Sequence, residues 1–207
     1  MTIAQRERAA LVATMRELDP DAPTLCEGWT ARDLAAHLVV RERRLDAAPG
    51  ILIPALADYT ERVQDSVAES TDWNALVDQV ASGPPLYSPF KLLDPIANVA
   101  EMFIHHEDVR RARPGWEPRP LDDRTAAALR RPVGMMAKMT MRKAPATVVL
   151  ATPDGKPVAT VGKGTQVRVI GDPGELLLFA AGRDETRVDI DGPTDTVAAV
   201  KKSRAGL

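Results

Sequence analysis

The feature that most constrains the fold is a change of texture at Pro145. Before it, apolar residues recur at helical spacing and Pro or Gly pairs punctuate the segments. After it, short β-branched runs alternate with glycine turns. The expected class is therefore α+β, with a helical domain over residues 1–144 and a small α+β domain over 145–207. In the first, Ile3, Ala10, Leu11, Met15 and Leu18 predict a helix over 3–18 that stops at Asp19-Pro20. Thr30 followed by Asp33 predicts an N-cap for a helix reaching about Asp46. A third helix is expected from about Leu52 to Ala68, a short one from Trp73 capped by Asp72, and a long one over 91–113 with Asp94-Pro95 at its start. Asp122 or Asp123 should cap a further helix reaching about Lys143. Beyond Pro145, the runs Thr147–Ala151, Val158–Val161 and Gln166–Ile170 read as a meander. A helix Glu175–Ala181 should follow, with Asp172 as N-cap, Pro173 at its first position and Gly182 just past its end. A strand Arg187–Ile190 and a terminal helix after Gly192-Pro193-Thr194 complete the chain.

Composition narrows the function classes. Hydrophobic residues make up 44% of the 207 residues but aromatics only 4%, so the core must rest on Leu, Val, Ile, Ala and Met. The net charge of −2 lacks the clustered basic excess of a nucleic-acid footprint. No apolar run approaches the roughly 20 residues that span a bilayer, and the charged N-terminus is no secretory signal. One cysteine, Cys26, permits no internal disulfide and suits a reducing cytoplasm. The expectation is a soluble cytoplasmic protein, monomer or homodimer.

The chain has three histidines, His37, His105 and His106, all within predicted helices. Glu101 and His105 lie one helical turn apart, so a carboxylate and an imidazole share one face. With His37 from the earlier helix, they form a mixed His/carboxylate triad that leaves a coordination position open, as catalytic zinc sites do. The plain alternative is an i,i+4 pair on a solvated face, with His37 a core imidazole. Val99, Met102, Phe103 and Ile104 argue that the helix is buried, and a buried Glu beside a buried His needs a partner charge that a metal ion would supply. His106 points about 100° away from His105 and reads as a residue that supports a ligand from behind or serves the fold. Asp108 could orient a ligating imidazole, and Asp33 serves the helix start. Cys26 and His106 are poorly placed as a fourth ligand.

The run from Thr24 through Trp29-Thr-Ala-Arg-Asp33-Leu-Ala-Ala-His37, and the run Asn98-Val-Ala-Glu101-Met-Phe-Ile-His105-His-Glu-Asp-Val-Arg-Arg111, resemble two signatures of the mycothiol-dependent maleylpyruvate isomerase family, a branch of the DinB/YfiT-like metalloproteins. The family's metal triad matches His37, Glu101 and His105 one for one. Gly171 to Arg183 is similar to the family's small second domain, a sterol-carrier-like α+β module. The resemblance implies a DinB-like four-helix bundle with the metal between helices, and an actinobacterial source, since mycothiol is the thiol of those organisms. The likeness points to a metal-binding branch other than the isomerase itself.

The chemistry such a site allows is thiol chemistry. A divalent metal, zinc by preference with nickel, iron or cobalt possible, lowers the pKa of a thiol such as mycothiol. The thiolate could then attack a small electrophilic substrate, giving S-transfer or, after addition and elimination, cis–trans isomerisation. Arg183 is the candidate anion clamp, with a helix C-terminal cap as the equal alternative. Arg41 reads as a salt-bridge residue, Cys26 as a small buried hydrophobe, and Trp29 as loop packing. The Met135, Met136, Met139, Met141 cluster reads as core or the lining of an apolar cleft. The rivals to an enzyme are a metal or small-apolar-ligand binding protein and a partner protein with a structural metal.

Overall fold

The computed structural model describes residues 1–51, 53–88, 91 and 94–204, with the backbone alone at 94–97. The expected helix start at Leu52 and the segment 92–93 lie outside the described residues. The chain divides into two compact units, Met1–Trp116 and Glu117–Leu207.

The first unit holds α1 (Ile3–Arg16), α2 (Ala31–Arg43), α3 (Ala57–Ser70), α4 (Trp73–Ser82) and α5 (Asp94–Arg111). Capping fixes most starts. Thr2 and Gln5 form a capping box on α1, Thr30 and Asp33 form one on α2, and Asp72 accepts from Asn74 and Ala75 N–H groups at α4. Helix α3 begins at Ala57, later than the sequence suggests, because Pro54–Leu56 first forms a 3-10 turn. Helix α2 ends at Arg43, where Arg44 leaves helical geometry. α1 packs on α5 and α4, and α2 packs on α3 and α4. The four-helix bundle is thus joined by a shorter fifth helix. Leu11, Met15, Leu34, Leu38, Leu76 and Met102 are fully buried within it. From Asn98 to Val109, helix α5 is buried or half-buried at every position, so polar residues there must find partners inside the protein.

The second unit holds α6 (Asp123–Thr140), β1 (Thr147–Ala151), β2 (Pro157–Val161), β3 (Gln166–Ile170), α7 (Pro173–Ala180), β4 (Asp189–Asp191) and α8 (Thr194–Ser203). Helix α6 packs against α7 and β2. It therefore belongs with the sheet, and the division at Trp116/Glu117 falls earlier in the chain than the change of texture at Pro145. The sheet is not the expected meander. Its order is β2-β1-β3-β4: β1 pairs antiparallel with β2 and parallel with β3, and β3 pairs antiparallel with β4. After β2 the chain crosses to the far side of β1. The turn that starts this crossing needs Gly162, where φ is +73° and a Cβ would lie 2.1 Å from the Ala146 carbonyl oxygen. Val148, Leu150, Val167 and Val169 are fully buried, as alternation on one sheet face requires. Helix α7 is buried at every position. Asp172 stands at its N-cap without the expected side-chain hydrogen bond, and Pro173 opens it. No helix among the described residues is long and apolar enough to cross a membrane.

Candidate metal centre

The α2 capping box sets the phase of that helix, and His37 and Arg41 follow one turn apart on its buried side. Helix α5 brings Asn98, Glu101 and His105 opposite them. The two imidazoles converge on one carboxylate oxygen. Glu101 Oε1 lies 3.4 Å from His37 Nε2 and 3.3 Å from His105 Nε2. The two rings sit edge to face with centroids 5.4 Å apart. One ligand atom from each of the three residues falls within 4.8 Å of the others.

This donor set suits a divalent ion. A tetrahedral zinc with bonds of about 2.0–2.1 Å holds neighbouring ligand atoms about 3.3–3.4 Å apart, which matches both Nε2–Oε1 separations. Access differs among the three side chains. Glu101 keeps 22% of its side chain exposed, against 11% for His37 and 10% for His105. The carboxylate is the face of the group that opens outward.

Glu101 does not need an ion to balance its charge, because Arg41 Nε lies 3.2 Å from the same Oε1. Arg41 also donates through Nη1 to Asn98 Oδ1 at 2.9 Å. Arg41 is thus the salt-bridge residue expected of it, but its partner is a candidate ligand. Burial alone would push the Glu101 carboxyl up. The Arg41 guanidinium and the hydrogen bonds from His105 and His37 outweigh that and hold it well below the usual carboxylate range. Burial lowers His37, and the positive charges of His105 and Arg41 add to the effect against its bond to Glu101. Burial also opposes charge on His105, but hydrogen bonding to Asp108, Cys26 and Glu101 raises it well above the ordinary imidazole value.

Cys26, expected to be a small buried hydrophobe poorly placed as a ligand, is instead half-buried: its Sγ lies 3.2 Å from Asp108 Oδ2, and Cys26, His105 and Asp108 form a second group of mutually close donors. Only the tertiary fold brings residues 82 positions apart together. Trp29 packs the loop onto the bundle core, and its ring is 5.1 Å from that of His37. His106 faces elsewhere: Nε2 lies 3.0 Å from Thr14 Oγ1, and Nδ1 is 3.8 Å from Glu7. Asp33 serves the α2 cap. In the second unit, Arg183 is buried and donates to the carbonyl of Ala181, the C-cap of α7, at 2.9 Å, as a capping role requires. Met135 and Met139 are more than half exposed on α6, so they are not core, whereas Met141 is fully buried.

Residues 2–172 match the family described as the mycothiol maleylpyruvate isomerase N-terminal domain. Among solved structures, the chain is similar to a histidine-to-alanine mutant of the mycothiol-dependent maleylpyruvate isomerase, with a TM-score of 0.62, 16% identity and 92% of each chain covered. It is also similar to the mycothiol-dependent maleylpyruvate isomerase itself, with a TM-score of 0.55, 18% identity and the same coverage. At these identities the likeness is one of fold. No curated protein sequence matches the chain.

Proposed function

The chain belongs to the mycothiol maleylpyruvate isomerase N-terminal domain family, and on that premise we propose that His37, Glu101 and His105 hold one divalent metal ion, zinc by preference, in an enzyme that turns a small thiol on a small electrophilic substrate. The observation that carries this reading is the convergence of two Nε2 atoms, from two helices, on one oxygen at 3.3 and 3.4 Å. Mycothiol is the thiol that the family's description suggests, which would place the chain in the cytoplasm of an actinobacterium. The reaction is thiol transfer or cis–trans isomerisation.

When bound, a divalent ion would supply Lewis-acid polarisation and make a thiol available as thiolate near neutral pH. The protein's own groups prepare that site. Arg41 keeps the Glu101 carboxylate ionised and therefore able to act as a ligand. Burial keeps His37 neutral, with a lone pair to give. His105 must surrender its extra proton on loading, since a metal-binding imidazole nitrogen carries none. The partly exposed Glu101 edge is the side from which thiol and substrate would arrive.

A second reading rests on Arg41. Its contact with Glu101 balances the carboxylate's charge with no ion present, which suits a purely structural ionic cluster. Metal analysis of the purified protein separates the two. The metal reading expects about one zinc, nickel, iron or cobalt ion per chain, and loss of the ion from Glu101→Ala and from His105→Ala, with the helical circular dichroism retained. Full occupancy in both variants would refute it. Calorimetric titration with mycothiol, with and without a chelator, then tests whether thiol binding depends on the ion.

A further inference from the structure

We propose that the loop joining α1 to α2 is a clamp that sets the orientation of both imidazoles, with Asp108 as the positioning residue for His105 and Trp29 for His37. The inference rests on reading His37, Glu101 and His105 as metal ligands, and it adds the residues that aim them.

His105 engages both of its ring nitrogens. Nε2 faces Glu101 at 3.3 Å, and Nδ1 lies 2.9 Å from Asp108 Oδ2. An imidazole that donates through Nδ1–H to a carboxylate presents its Nε2 lone pair to a metal and is a stronger ligand for it. Asp108 has no exposed surface, so its charge is held entirely by protein groups. The oxygen that takes His105 also accepts from the Cys26 thiol at 3.2 Å. The backbone carbonyl of Asp108 accepts from the Leu25 N–H at 3.0 Å. Two consecutive loop residues therefore fasten to one residue of α5, one through its side chain and one through its main chain.

The same loop reaches α2. Cys26 N–H donates to Thr24 Oγ1 at 3.1 Å, the Thr24 hydroxyl donates to the Trp29 carbonyl at 2.9 Å, and Trp29 N–H donates to the Cys26 carbonyl at 2.9 Å. This closed turn presents the Trp29 ring 5.1 Å from the His37 ring, tilted by 45°. His37 is thus bounded by Trp29 on one side and by the His105 ring, at 5.4 Å, on another. The loop contacts a ligand ring directly on α2 and through a carboxylate on α5. Such preorganisation is what separates a tight site from ligands that are merely near one another.

The test uses the full chain titrated with cobalt(II), whose visible absorption reports ligand geometry. Asp108→Asn should weaken cobalt binding by roughly 10–100-fold and change the visible bands, with helical content retained. Cys26→Ala should weaken it by a smaller factor, and Cys26→Ser, which keeps a donor to Asp108, should restore it. In the zinc-loaded wild-type protein, the proton NMR signal of His105 Nδ1–H should lie far downfield and exchange slowly with water, as a proton held by the buried Asp108 carboxylate does. Wild-type cobalt affinity and bands in Asp108→Asn would overturn the clamp, as would a His105 Nδ1–H that exchanges freely with water. The NMR experiment needs no variant, so it decides even if Asp108→Asn fails to fold. Failure of the wild-type chain to bind cobalt or zinc would instead overturn the metal reading on which the clamp stands.

Discussion

Buried charges in the two units differ in what they bond to. In the helical unit they pair with one another, across helices for Arg8 with Glu42 and for Arg41 and His37 with Glu101, and along α5 for His105 with Asp108 and Glu101 and for Arg111 with Glu107. In the α+β unit they turn mainly to the backbone. Glu175 accepts from the Arg187 N–H, Arg183 donates to the Ala181 carbonyl, and Arg204 donates to the carbonyls of Phe179 and Arg183 and pairs with the exposed Asp184 carboxylate. The second pattern finishes helix ends and loops, which every fold must do. The first places ionisable groups from different helices within reach of each other at a cost in desolvation. That cost is the usual mark of a functional region, because an apolar pair of similar size would hold the helices together as well.

The comparison is sharpened most by Glu42→Ala. Glu42 is almost fully buried, and Arg8 Nη1 donates to it at 3.0 Å. Removing the carboxylate strands a buried guanidinium, so urea unfolding should show a loss of about 3 kcal/mol. A loss under about 1 kcal/mol would mean that the cross-helix pairs carry little, and the contrast between the units would fail.

A smaller effect separates the loaded from the metal-free helical unit. His105 is raised well above 6.5 in the folded, metal-free protein. Its charged form therefore stabilises that fold fully below the unfolded imidazole pKa, and the contribution is lost as pH rises through the raised value. On the metal reading the ion must displace this proton, so affinity should climb by about tenfold per pH unit until His105 is deprotonated. Competition titrations with a chelator from pH 6 to 9 would show it. An affinity flat across that range would remove His105 from the ligand set.

The smallest effect tests the α+β side. If Arg183 is only a cap, Arg183→Ala should cost about 1 kcal/mol in thermal or urea unfolding and leave thiol-dependent turnover unchanged. If it clamps an anionic substrate, KM should rise with kcat nearly constant, and Arg183→Lys should recover only part of the loss. The second result would place a working charge in the unit whose buried charges otherwise serve the backbone.

What could be read from the sequence follows the range of the interaction involved. Thr30 with Asp33, Asp72 and Asp122 all cap as their local patterns indicate, because a cap is settled within four residues. The pairing of Glu101 with His105 needed only the helical repeat. Joining His37 to them rested on the chain's having only three histidines and then on the resemblance, since no spacing links residues 64 positions apart. Arg41, Cys26 and the position of β1 between β2 and β3 escaped for one reason. Each depends on which segments become neighbours in space, and local propensity carries no information about that.

The Arg41 contact with Glu101 bears on how such a protein persists in a cell. Small domains organised around a structural ion collapse when it is withdrawn, because nothing else neutralises their ligands. Here a permanent cation already sits beside the carboxylate, and the helical unit has an extensive apolar core of its own. On the proposed metal reading, the polypeptide would mature first and acquire its ion afterwards. Scarcity of the ion would then leave an intact pool awaiting resupply instead of debris for proteases.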